Sequence, residues 1–209
     1  MKSRKALAVG TAATAALAMG VTALGVGSAQ AAGTTSLAKV LIDGNKFDRN
    51  AKDFDILAEA VLAVLAAKPD STVGVLADGS VKLTAFAPTD QAFKNLASDL
   101  EGRKIKKEKK AFKIVASLGI DTVESVLLYH VVPGAPITGK KALQANNVKL
   151  QTALEGETIK VKVKSHPTKI KLVDKDRNDR NAKVQVTNIN KGNNQIAHVI
   201  SHVLRPADL

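Results

Sequence analysis

His198 and His202 stand four residues apart. On a helix that spacing puts two imidazoles on one face, where they can share a zinc ion. The run 196–204 around them is apolar and β-branched, however, and reads as a strand. On a strand, positions four apart share a face but lie about 13 Å apart, too far for one ion. No glutamate completes a metalloprotease arrangement, so His198 reads as a structural strand residue. A second candidate is Asp174-x-Asp176-x-Asn178, which begins like a calcium loop. Its sixth position is Asp179 where a glycine turn is needed, and its twelfth is Gln185 where a bidentate glutamate is needed. Arg177 and Arg180 also lie inside it, and the stretch reads as a polar connection. A third is the run 134–140, which fits the first seven positions of a phosphate-binding loop. The eighth is Lys141 in place of the magnesium-binding hydroxyl, and Pro136 lacks an N–H that such a cradle uses. No Gly-x-Ser-x-Gly elbow is present. No catalytic set, resident metal or cofactor is expected.

Positive charge is the stronger lead. The 209-residue chain carries 31 Lys and Arg against 19 Asp and Glu, a formal net charge of +12. Two segments concentrate it. In 103–113, Arg103, Lys104, Lys106, Lys107, Lys109, Lys110 and Lys113 face one acid, Glu108. Phe112, Val115 and Ala116 predict an amphipathic helix there. In 159–172 the period is two. Ile159, Val161 and Val163 alternate with Lys160, Lys162 and Lys164, and Ile170 and Leu172 with Lys169 and Lys171. A turn at 165–168 sets Lys164 opposite Lys169 and Lys162 opposite Lys171, all on one face. Like charges directly across a sheet are destabilising by a few tenths of a kcal/mol or more. A polyanion would recover that loss, whereas edge protection and solubility are the competing uses of such lysines. Lys106, Lys107, Lys110, Lys162, Lys164, Lys169 and Lys171 are therefore candidate contacts for an acidic polysaccharide or wall polymer. Nucleic acid fits less well, because Trp is absent and Tyr occurs once, at Tyr129.

The elements that position these residues follow from periodicity. Phe54, Leu57, Val61, Val64 and Leu65 predict a helix, with Asp53 as its cap and Pro69 as its stop. Residues 83–87 predict a strand, and Thr89 and Asp90 the cap of a helix carrying Phe93 and Leu96. Asp121 and Glu124 resemble a capping box before a helix with Val123, Val126, Leu127 and His130 on one face. Val131 and Val132 then leave as extended chain. Val184 and Val186 are expected to continue the sheet of the lysine hairpin, and residues 196–204 to form the last strand. Helices lead and strands follow, which predicts an α+β fold. There is no Cys, so no disulfide staples it.

The N-terminus has the parts of a cleavable export signal: basic Lys2, Arg4 and Lys5, an apolar stretch over 6–26, and Ala29-Gln30-Ala31. Its Ala, Gly and Thr content disfavours a stable membrane anchor. Cleavage after Ala31 removes three positive charges and leaves a net +9. Residues 32–45 are polar, Gly-containing and small, and read as a tether to a domain over 46–209.

Three segments of that domain resemble the fasciclin-like (FAS1) family. Thr84-Ala85-Phe86-Ala87-Pro88-Thr89-Asp90-Gln91-Ala92-Phe93 is similar to its first signature. Leu127-Leu128-Tyr129-His130-Val131-Val132 is similar to its central Tyr-His segment. Ile196-Ala197-His198-Val199-Ile200-Ser201-His202-Val203-Leu204-Arg205-Pro206 is similar to its closing signature. The resemblance implies a compact α+β wedge and a secreted, non-enzymatic adhesion or matrix-interaction role, as in secreted bacterial members with one such domain. The partner it implies is an extracellular or cell-surface protein, and the anionic polysaccharide or wall polymer remains the alternative raised by the basic segments. Ser201 stands where the family usually has Asp. Asn188-Ile189 stands where animal members carry an integrin-associated Asp-Ile pair, so integrin binding does not carry over. Asn194-Gln195 replaces the usual Asn-Gly turn. Tyr129 and His130 are linked to adhesion in the family, although the shared face with Val123, Val126 and Leu127 also gives His130 a core reading.

Overall fold

The structure is a computed structural model, and it describes residues 32–42, 46–165 and 168–209. The export signal, and His166 and Pro167 of the hairpin turn, lie outside the described residues.

The first half is mostly helical: α1 (Leu37–Ile42), α2 (Asp55–Ala67), a 3-10 helix (Thr72–Leu76), α3 (Asp90–Leu100), α4 (Glu108–Ala116) and α5 (Ile120–Tyr129), with β1 (Leu83–Pro88) between them. The second half runs β2 (Val131–Pro133), α6 (Gly139–Gln144), β3 (Lys149–Gln151), β4 (Thr158–Ser165), β5 (Thr168–Val173), β6 (Val184–Ile189) and β7 (Gln195–Ile200). The fold is α+β, as expected.

Two sheets organise it. One has the order β2-β1-β7-β6, the other β3-β4-β5. This corrects the expectation that β6 extends the lysine hairpin's sheet. β6 instead pairs antiparallel with β7, and β7 runs parallel to β1 from the first half of the chain. All six residues of β1 and all six of β7 are buried, because both faces of this sheet are covered. Leu83, Ala85 and Ala87 join a core cluster with α2, α3, α4 and α5, whereas Phe86 joins a second with Ile159, Val161, Ile170 and Leu172. The four-stranded sheet is thus the wall between a helical layer and the lysine-bearing sheet.

Local signals explain most helix ends. Thr89 Oγ1 accepts from Ala92 N at 3.4 Å, so the expected α3 cap is in place. Two other expected caps are not. Asp53 does not cap α2; the carboxylate of Asp90 reaches across from α3 and accepts from Ile56 N at 2.9 Å. Glu124 does not box the start of α5. It accepts instead from Lys68 Nζ and Ser71 Oγ, at 2.6 and 2.5 Å, and so ties α5 to the end of α2. The hydrogen bond from Lys68 holds the Glu124 carboxyl below the usual range.

The expected tether is also corrected over 32–42. Leu37 is fully buried, and its N–H donates to Gln195 Oε1 at 2.7 Å. Gly33 N donates to Gly192 O, and Asn194 N to Gly33 O. The segment passes so close to Gly79 that a Cβ there would meet Thr34 O at 1.6 Å. Burial of Leu37 and Leu41 outweighs the small-residue composition that suggested a free segment.

Candidate functional site

The hairpin of β4 and β5 has the register its alternation predicts. Lys162 pairs with Lys171 and Lys164 with Lys169. Val161, Val163, Ile170 and Leu172 point to the core, and this fixes which face carries the lysines, because a one-residue slip would expose all four. The row is longer than the hairpin. Lys149 on β3 pairs with Lys160, and Lys171 forms an isolated bridge with Lys183 just before β6. Leu172 N donates to Ala182 O at 2.8 Å, which holds that second edge in place. Opposed residues share a face, so Lys149, Lys160, Lys162, Lys164, Lys169, Lys171 and Lys183 form one basic face.

At its open end lies a groove of about 470 Å³, lined by the cations Lys164, Lys169, Lys171, Arg180 and Lys183 together with His202. No carboxylate lines it. Among the described residues, none of these five Lys and Arg side chains is in an ion pair. His202 Nδ1 lies 2.9 Å from Ser201 Oγ, which in turn accepts from Lys183 N at 3.0 Å. Burial holds His202 below the usual imidazole range, with Asp179 acting against that and Arg180 reinforcing it. Arg180 and His202 also line a neighbouring groove with Arg103 and Lys104. There Asp99 and Asp179 are held by Arg205, so the uncompensated positive surface ends at that boundary.

Sequence reasoning finds the hairpin lysines and misses Lys183, Arg180 and His202. Lys183 sits beside Lys171 through a bridge between separate segments, which has no local signal. Lys106, Lys107 and Lys110 are exposed, but they do not line the groove. Lys106 and Lys107 precede α4, and Lys110 is in its first turn. The helix packs on α2, α3 and α5, in the helical layer.

Tyr129 and His130 are inside the protein. Tyr129 is fully buried and its Oη donates to Thr158 O at 2.9 Å. Burial pushes its phenol up from the ordinary value. His130 Nε2 accepts from Leu204 N at 2.9 Å, which leaves Nδ1–H to donate to Val126 O at 2.7 Å. Burial pushes its pKa down to about 4. Both join α5 to the strand layer, and neither presents a polar atom to a partner.

The other candidate motifs are occupied by the chain's own groups. His198 is buried against Phe86, with Nε2–H donating to Ile137 O at 2.7 Å and Nδ1 accepting from Asn188 N. His202 lies past the end of β7, so the two histidines do not converge. In the Asp174–Asn178 stretch the cation is Arg205, whose guanidinium reaches Asp176 at 3.2 Å and Asp179 at 3.1 Å. In 134–140, Ile137 N donates to Thr84 Oγ1 and Gly139 N to Asn188 Oδ1. Asn188, at the integrin-associated position, is thus a structural residue with φ of 68°.

The described residues contain no helix long and apolar enough to cross a membrane. No curated protein sequence matches the chain. Among solved structures it is similar to the FAS1 domain pair of the insect cell adhesion molecule fasciclin I. Identity is 19% over 70% of this chain and 44% of that one, with a TM-score of 0.45. The chain therefore spans less than half of that structure. Residues 58–206, most of the chain, match the model of the Fasciclin domain, and the protein belongs to the fasciclin family.

Proposed function

We propose that the protein is a secreted, non-enzymatic adhesion module that holds an anionic extracellular polymer on its lysine face. Fasciclin domains are in general cell-adhesion or extracellular modules. The export signal read in residues 1–31 supports action outside the cell. One observation carries the choice of ligand: lysines stand directly opposite lysines, beside a groove whose charged lining contains no acid. Such a face concentrates positive potential and attracts a chain of phosphate, sulfate or carboxylate groups. The row follows the sheet for several strand spacings of about 4.8 Å, so it suits a linear polymer better than a single small anion. Tyr129 and His130 give no support to a competing contact surface, since both are buried.

The test is retention of the purified protein on an immobilised phosphate-bearing polymer and on a sulfated polysaccharide, eluted with rising salt. Binding that falls steeply between about 0.05 and 0.2 M salt is expected, because the Debye length is already about 10 Å at 0.1 M. Passage through both resins at the lowest salt would end the polymer reading.

A further inference from the structure

Five carboxylates gather where the loop before α2 meets the start of α3. Asp53, Asp55 and Asp90 each bring one oxygen within 4.8 Å of the other two, and Asp48, Asp55 and Glu108 do the same. Asp55 belongs to both sets. Lys94, 3.0 Å from Glu108, is the one cation paired with any of the five among the described residues. Acidic residues near one another are common on surfaces, and Asp48 is exposed and Asp53 half-buried, but Asp55, Asp90 and Glu108 are buried. Asp55 is 2% exposed and Asp90 0% exposed.

The hydrogen bonding leaves a gap of one particular kind. Asp90 Oδ1 is used, accepting from Ile56 N at the start of α2. Asp90 Oδ2, Asp55 Oδ2 and Asp53 Oδ1 are buried and have no donor. Buried carboxylate oxygens are ordinarily satisfied, and three orphans within one triad need a positive partner. The amino-terminal ends of α2 and α3 offset part of the charge. Their nearest N–H groups, however, are directed to Asp90 Oδ1 and Thr89 Oγ1, not to the orphans.

We propose that Asp53, Asp55 and Asp90 form a divalent-cation site of calcium type. Two oxygens on one calcium ion, each at 2.3–2.6 Å, lie at most about 5 Å apart, and the oxygens of the triad all lie within 4.8 Å of one another. The ligands are hard oxygens without nitrogen or sulfur, which selects calcium or magnesium over zinc. Magnesium demands near-ideal octahedral geometry and dehydrates reluctantly, so a site built of several carboxylates suits it less well. The ion's role is structural. Asp90 N donates to Asp53 O at 3.0 Å and Gln91 N to Ala51 O at 2.9 Å, so the loop is already laid on α3. A cation between the carboxylates locks two helix starts together in a chain that has no disulfide.

The rival occupant is a proton shared between Asp53 and Asp90, and titration with calcium chloride separates the two. Chelator-treated protein at pH 7.5 is titrated by calorimetry while Tm is followed in parallel. The site predicts saturable binding of one calcium per chain. It also predicts a rise in Tm of about 5 °C or more at one hundred times Kd, with magnesium weaker. Asp53→Asn and Asp55→Asn should each abolish the calcium response. An Asn at either position is uncharged and keeps the shape, so these variants should fold without the ion. Absence of heat and of any Tm shift in the wild-type protein at 10 mM calcium chloride, about ten times the Kd of the weakest calcium modules, would overturn the site. So would a response that survives both substitutions.

Discussion

His130→Gln isolates a buried proton site whose energetic sign is fixed by the structure. His130 is neutral in the fold, with Nδ1–H given to Val126 O and Nε2 receiving Leu204 N. Burial sets its folded pKa at about 4, against an ordinary 6.5. The unfolded chain therefore binds the extra proton between those values. Stability from the neutral imidazole is complete above pH 6.5 and is lost as pH falls toward 4. A displacement of about 2.5 units corresponds to about 3 kcal/mol, at about 1.4 kcal/mol per pH unit within the window. Total stability need not show this slope. Burial raises the pKa of Asp90 to about 8 and of Asp174 to about 6, and stability from groups displaced in that direction is lost as pH rises. Their slopes oppose that of His130. The difference between wild type and His130→Gln removes them, because both proteins share those carboxyls. Glutamine offers an oxygen to Leu204 N and an N–H to Val126 O, but it does not titrate. Urea unfolding of both proteins from pH 4.5 to 7.5 should show a wild-type advantage that is constant above about pH 6.5 and shrinks by about 1.4 kcal/mol per pH unit below it. Parallel stability curves would refute the reasoning.

Arg205→Ala should destabilise the fold by about 3–5 kcal/mol in denaturant unfolding, because it strands Asp176, whose side chain is fully buried, without its cation. Leu37→Ala should cost about 2–5 kcal/mol. That result marks 32–42 as part of the folded unit, whereas a free tether predicts no change. Lys169→Glu with Lys171→Glu converts two like-charged cross-strand pairs into opposite ones. It should raise stability by about 0.5–1 kcal/mol while removing retention on an anionic resin, a pairing of signs that general unfolding does not produce.

The lysine hairpin is legible in the sequence because its signal is local. Val161, Val163, Ile170 and Leu172 alternate with lysines, and a turn of fixed length sets the register. The Thr89 cap is legible for the same reason. What is not legible depends on partners far along the chain. The parallel pairing of β1 with β7 joins Leu83 to Gln195, and neither segment's period names its neighbour. Gln195 illustrates the limit: it reads as a departure from an Asn-Gly turn, yet it accepts from Leu37 N and donates to Val75 O and Asp78 O. Asp53 and Glu124 both satisfy the local rules for caps, but Asp90 takes the contact at the start of α2 in place of Asp53, and Lys68 and Ser71 draw Glu124 away from α5. The basic groove needed Arg180 and Lys183 beside Lys171, and the carboxylate cluster needed Asp90 beside Asp53. Both are products of packing between segments. Tyr129 and His130 show the converse, since a helical face shared with valines and leucine already places His130 inward.

The most direct test of the polymer account is the salt dependence of affinity for a soluble phosphate-bearing polymer, in wild type and in the Lys162→Gln, Lys164→Gln, Lys169→Gln, Lys171→Gln variant. Each neutralised phosphate contributes about 0.7 to the slope of log affinity against log salt for a flexible polyanion, so four lysines account for about 3. A slope that falls by about that amount, with folding intact, is the predicted result. An unchanged slope and affinity would contradict the assignment of the lysine face as the binding surface.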